Sequence, residues 1–133
     1  MFDHLERLKE SGNFQIMRNT NFVDNCNVPE NVKGVFIVYE LARSGIEMVY
    51  IGHSGENDLR SHLLDTANGG LSIGQKIDEI KKVSQSAGLD IYWYVCPEGN
   101  AKSTPKIMGE KALAMFLSLN LRMPKWNRMI DAK

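Results

Sequence analysis

Apolar residues fall in short runs along this chain, and the spacing within each run predicts its conformation. Gly34-Val35-Phe36-Ile37-Val38-Tyr39-Glu40-Leu41 is rich in β-branched and aromatic residues and reads as a strand. Arg43-Ser44-Gly45 has turn chemistry. Glu47-Met48-Val49-Tyr50-Ile51-Gly52 is a second strand, so the pair predicts a β-hairpin. Helical spacing then takes over. Glu56 to Ala67 carries Leu59, Leu63 and Leu64 and stops at Asn68-Gly69-Gly70. Ser72 can cap a further helix whose face is Ile73, Ile77, Ile80 and Val83 or Ser84, closed by Gly88. Leu89 to Cys96 is a third strand. Thr104-Pro105 offers an N-cap followed by a proline at the first helical position. The helix it opens runs to about Leu121 and is apolar almost all round from Ala112 to Leu119, which predicts a central position. Pro124-Lys125-Trp126-Asn127 then turns the chain.

The first thirty residues are less patterned. Asp3 to Glu10 has Leu5 and Leu8 spaced for a short amphipathic helix ending near Gly12. Asn13 to Pro29 shows no clear period and is expected to be irregular. The expected organisation is an N-terminal extension over residues 1–30 and a domain over 31–133. The order β-β-α-α-β-α predicts an α+β fold, with a small three-stranded antiparallel sheet flanked by helices.

Composition narrows the class. The chain has 133 residues, the usual size of one domain, with 43% hydrophobic and 24% charged residues. No apolar run approaches the ~20 residues that span a bilayer. Met1-Phe2-Asp3-His4-Leu5-Glu6 has neither a basic nor an apolar leader region, so no membrane partner and a cytoplasmic location are expected. Cys26 and Cys96 are isolated, which argues against zinc and for reduced thiols. Sixteen basic residues balance sixteen acidic ones. That balance counts against tight duplex binding, which draws on phosphate neutralisation. The signs are unevenly spread, however. Lys76, Lys81, Lys82, Lys102, Lys106, Lys111, Arg122, Lys125 and Arg128 lie late in the chain, and much of the acid lies early.

Three groups of residues could carry chemistry. Glu110 lies early in a nearly apolar helix, on a face shared with Leu113, Ala114 and Leu117. It is either a partly buried carboxylate needing a partner or an acid favoured by the helix dipole. His53-Ser54 and Arg60-Ser61-His62 follow a strand end, where function often sits, although solvated polar residues are common there too. Tyr92-Trp93-Tyr94 alternates across a strand, as core packing or as a stacking surface for bases.

The spacing among these residues resembles that of the GIY-YIG nuclease family. Gly34-Val35-Phe36 and Tyr50-Ile51-Gly52 stand for the paired motifs. Ser54 follows Gly52 by two residues, and Arg60 follows Tyr50 by ten. Glu110 is followed by Pro124-Lys125-Trp126-Asn127. The resemblance covers about residues 31 to 130 and implies a metal-dependent DNA endonuclease. It makes Glu110 the protein ligand of one Mg²⁺ or Mn²⁺ ion. Arg60 would bind a phosphate oxygen, and Tyr50 would orient the attacking water or accept its proton. Asn127, Gly34, Gly52 and Ser54 would shape the site. The chain departs from the family pattern in two places. Phe36 replaces the first-motif tyrosine, and Leu64 stands where a histidine or tyrosine is common. Tyr39, His53 and His62 are the candidate replacements. Tyr39 shares a face with Phe36 only if a bulge intervenes, and His62 lies about 200° round a helix from Arg60. These departures leave open a second reading, a GIY-YIG-like module that binds nucleic acid or protein without cutting. A third, unrelated activity would go with Tyr50, Arg60 and Glu110 lying apart.

Overall fold

The computed structural model describes residues 1–66 and 69–131. Its strands are β1 (Ser11–Met17), β2 (Gly34–Ala42), β3 (Gly45–His53) and β4 (Gly88–Val95). Its helices are α1 (Asp3–Glu6), α2 (Phe22–Asn25), α3 (Leu59–Leu64), α4 (Ile73–Ser84), α5 (Pro105–Asn120) and α6 (Asn127–Asp131). The strands form one antiparallel sheet in the order β1-β4-β2-β3. The fold is α+β. Among the described residues no helix is long and apolar enough to cross a membrane.

The sheet therefore has four strands, not three. The added strand is β1, which lies in the stretch expected to be irregular. Only Phe14 and Ile16 point inward from it, too few to make a period visible. Pairing along the whole length of β4 supplies what local propensity does not. The N-terminal helix is shorter than expected, ending at Glu6, because the chain must extend into β1. The next helix begins at Leu59, not Glu56, because the Asp58 side chain accepts from Ser61 N and caps it there. The expected end of that helix, Ala67 and Asn68, lies outside the described residues. Helix α4 opens on a reciprocal capping box between Ser72 and Gln75. It is closed by Gln85 at φ 56°, and Gly88 opens β4 instead.

Helices cover both faces of the sheet. On the front, α2, α3 and α4 enclose Phe36, Val38, Tyr50, Ile91 and Trp93, together with Trp126 and Ile130. On the back, α1 and α5 cover Val35, Ile37 and Ile51. Helix α5 is not central. It buries one line, Met108, Gly109, Ala112 and Phe116, and leaves Leu117 45% and Leu119 65% exposed.

Two features near β3 position the site. The register shifts between Val38 and Tyr39, so Val49 is an extra residue on β3. Val49 and the adjacent Tyr50 both reach the front core as a result. β3 is also an edge strand, and the chain's C-terminal segment closes that edge. Trp126 N donates to Val49 O at 2.9 Å. The Asn127 carboxamide accepts from Ile51 N at 3.1 Å and donates to Ile51 O at 2.8 Å. One side chain thus serves as a strand partner where a bare edge would invite another chain.

Candidate functional site at the edge of β3

Tyr50 enters the front core against Phe36, with ring centroids 5.3 Å apart. Gly52 allows this packing, because a Cβ there would sit 2.7 Å from atoms of both rings. The Tyr50 hydroxyl donates to Asp131 Oδ1 at 2.7 Å. Burial first, and then the adjacent Asp131 carboxylate, push this phenol far above its ordinary value. Tyr50 thus holds its proton and donates it to Asp131.

His53 ends β3 on the back of the sheet. Its Nδ1 accepts from Gly55 N at 3.0 Å, so the neutral ring carries its proton on Nε2. The ring lies against α5 at Gly109, where a Cβ would come within 2.9 Å of His53 Cδ2. Burial lowers the His53 pKa; the Glu110 and Asp131 carboxylates oppose this, and Lys106 reinforces it. Glu110 is therefore an electrostatic neighbour of His53. It is exposed, not partly buried, because it lies beside the buried line of α5 and not on it.

His62 and Arg60 leave α3 in different directions. His62 turns to Phe36, at 6.3 Å between ring centroids. Burial lowers its pKa, His53 lowers it further, and Asp131 opposes the shift. Arg60 Nη1 donates to Val28 O at 2.9 Å and to Cys26 O at 3.2 Å. The guanidinium thus ties down the segment before β2. Among the described residues it makes no hydrogen bond or ion pair to Tyr50, His53 or Glu110. Leu64 packs at the margin of the front core.

Tyr39 is not in this group. The extra residue of the bulge is on β3, so β2 keeps its alternation. Phe36 faces front and Tyr39 faces back, edge-to-face with Tyr92 at 5.4 Å. Ser54 and Gly34 form a clamp: Ser54 N donates to Gly34 O, and Ser54 Oγ accepts from Gly34 N, both at 3.0 Å. A Cβ at Gly34 would lie 1.9 Å from Tyr94 O, so this position excludes a side chain. Trp93 is buried on the front and donates to Asn27 Oδ1 at 2.8 Å.

The group that converges is Tyr50, His53, His62, Glu110, Asn127 and Asp131. Asp131 escaped the sequence reading. Its signal was its place one helical turn after Asn127, whose Nδ2 reaches Asp131 Oδ2 at 3.4 Å. Part of the late basic charge is structural. Lys81 is buried and bonds Met17 O and Thr20 O, while Lys125 pairs with the buried Glu40 at 2.8 Å.

Among the described residues no three His, Cys, Asp or Glu side chains form a group able to cage a divalent ion. The exposed Glu110 carboxylate makes no hydrogen bond or ion pair among those residues. This fits a hydrated Mg²⁺ or Mn²⁺ held by one carboxylate, with its other positions left to water and substrate oxygens. No family model, no curated protein and no solved structure matches this chain.

Proposed function

We propose that the chain is a GIY-YIG-like, metal-dependent DNA endonuclease acting at the edge of β3, in a cytoplasm that keeps Cys26 and Cys96 reduced. The reading is carried by one observation: a phenol, two imidazoles and two carboxylates gather round that edge. Glu110 would hold the ion, which would polarise the phosphate and stabilise the departing 3′-oxygen. His62 takes the proton of the attacking water. Burial keeps this imidazole neutral at neutral pH, and it has no hydrogen-bond partner among the described residues. The Tyr50–Asp131 pair orients that water. The Nε2–H of His53 donates to a non-bridging oxygen, with Lys106 adding positive charge beside it. Water adds to phosphorus as His62 takes its proton, the bond to the 3′-oxygen breaks, and that oxygen takes a proton from solvent, leaving a 5′-phosphate and a 3′-hydroxyl. Arg60 positions the Cys26–Val28 segment and does not hold phosphate.

A second reading is a non-cutting binding module. It is favoured by the locked Tyr50 proton and by the engagement of Arg60 with backbone carbonyls. The test is incubation with supercoiled plasmid and linear, branched and single-stranded DNA in Mg²⁺ or Mn²⁺. Nicking that EDTA stops supports the nuclease. Binding without nicking in either metal overturns it.

A further inference from the structure

The back of the sheet is only partly covered. Helices α1 and α5 lie over Val35, Ile37 and Ile51, while the flank formed by β1 and β4 stays open. There Tyr92 lies between Asn13 and Ile37 in the cross-strand register, and Asp90 lies between Gln15 and Tyr39. Asn13 and Gln15 are exposed, and Tyr92 is 36% exposed.

Tyr39 and Tyr94 are half-buried against the back core, and Tyr92 stands outermost. Tyr39 and Tyr92 stand at 81°, with centroids 5.4 Å apart. Tyr94, two residues beyond Tyr92 on β4, points to the same side. The charged groups that act on these phenols, Asp90 and Glu6, are both acidic. Besides burial, the groups that act on Tyr39 are Tyr92, Asp90 and Glu6, and all of them raise its pKa. Tyr94 is pushed up to about 12 by burial, Tyr39, Glu6 and Tyr92. Asp90 accepts a hydrogen bond from Asn13 at 3.1 Å. Among the described residues neither Asp90 nor Glu6 has a cationic partner.

We propose that this tyrosine patch is a docking surface for an arginine-bearing segment of a partner protein. A guanidinium stacks on or sits over a phenol face, and the electron-rich rings attract it. Asp90 and Glu6 supply the opposite charge. The same two carboxylates repel phosphate, so a nucleic acid is the wrong occupant for this face. The patch is centred on Tyr92 of β4, and none of its residues belongs to the group at the β3 edge, so the inference does not depend on the nuclease reading.

The test is fluorescence anisotropy with labelled dodecapeptides, one an Arg-Gly repeat and one a Glu-Gly repeat, and with a twelve-residue oligothymidine. The wild-type chain is expected to bind the Arg-Gly peptide and not the Glu-Gly peptide. Tyr92→Ala should weaken that binding roughly threefold to tenfold. Tyr92→Phe, which keeps the ring, should retain it, and Asp90→Asn should weaken it and flatten its salt dependence. His53→Ala, at the other site, should leave it unchanged. Circular dichroism checks the fold of each variant. Equal binding by wild type and a folded Tyr92→Ala overturns the proposal, because simple charge attraction would then suffice. Tyr92-dependent binding of oligothymidine in place of the peptide overturns it as well.

Discussion

The Tyr50 hydroxyl and the Asp131 carboxylate lie 2.7 Å apart, and this hydrogen bond joins an interior strand residue to the last helix. It makes the phenol a donor and gives it a measurable signature at alkaline pH. The folded chain keeps a proton that the unfolded chain gives up at about pH 10. The stabilisation from this group is therefore complete below about pH 10 and is lost as pH climbs from there towards the raised folded value. Comparing denaturant midpoints of wild type and Tyr50→Phe across this range isolates the contribution. The wild type should lose stability more steeply above about pH 10. Parallel curves would mean that Tyr50 titrates as an ordinary phenol.

Arg60 is expected to matter for stability through the segment it holds. Arg60→Ala removes the donor shared by the Val28 and Cys26 carbonyls and should cost about 1–3 kcal/mol in urea unfolding. The imidazole titrations of His53 and His62, followed by NMR, should not move, because the charged neighbours acting on them are Glu110, Asp131 and Lys106 for His53, and His53 and Asp131 for His62. A shift in either histidine would place the Arg60 charge in the site after all.

Asn127→Ala should be among the more damaging single changes near the site. It leaves Ile51 N and Ile51 O without their partners at a buried position. The expected loss is about 2–4 kcal/mol, read from chemical denaturation. Asn127→Asp should not rescue it, since a carboxylate cannot donate to Ile51 O.

Glu110→Gln should separate chemistry from stability. The side chain is exposed, so the melting temperature should stay within about 1 °C of wild type. Metal-dependent nicking of plasmid should fall at least a hundredfold if Glu110 holds the ion. A variant that nicks at the wild-type rate would remove Glu110 from the site.

The parts of the fold that could be read in advance have dense, local signals. β2 and β3 are runs of β-branched and aromatic residues, and α4 and α5 carry Ser72 and Thr104 as caps. β1 was hidden because its partner lies more than seventy residues away and only Phe14 and Ile16 mark its inner side. Helix α5 looked central because many of its residues are apolar, yet residue type does not say which side a sheet will cover. For the candidate site, spacing singled out Tyr50, Glu110 and Asn127 as candidates but could not show where Arg60 points. A long side chain chooses among nearby acceptors, and two backbone carbonyls were within its reach. The bulge falls on β3 at Val49, so β2 alternates unbroken and Phe36, not Tyr39, shares a face with Tyr50. That bulge shows only in the pairing register.

The pairing of β1 with β4 also sets an order of assembly. A ribosome releases Ser11–Met17 long before Gly88–Val95, so β1 emerges without its only sheet neighbour. The β2–β3 hairpin can close early, from contacts near in sequence. β1 can pair only once β4 has been made, and Asn127, which latches β3, is made later still. Closing so wide a loop costs entropy before its contacts repay it, which predicts slow completion and a nascent chain whose Phe14 and Ile16 stay exposed to solvent or chaperones.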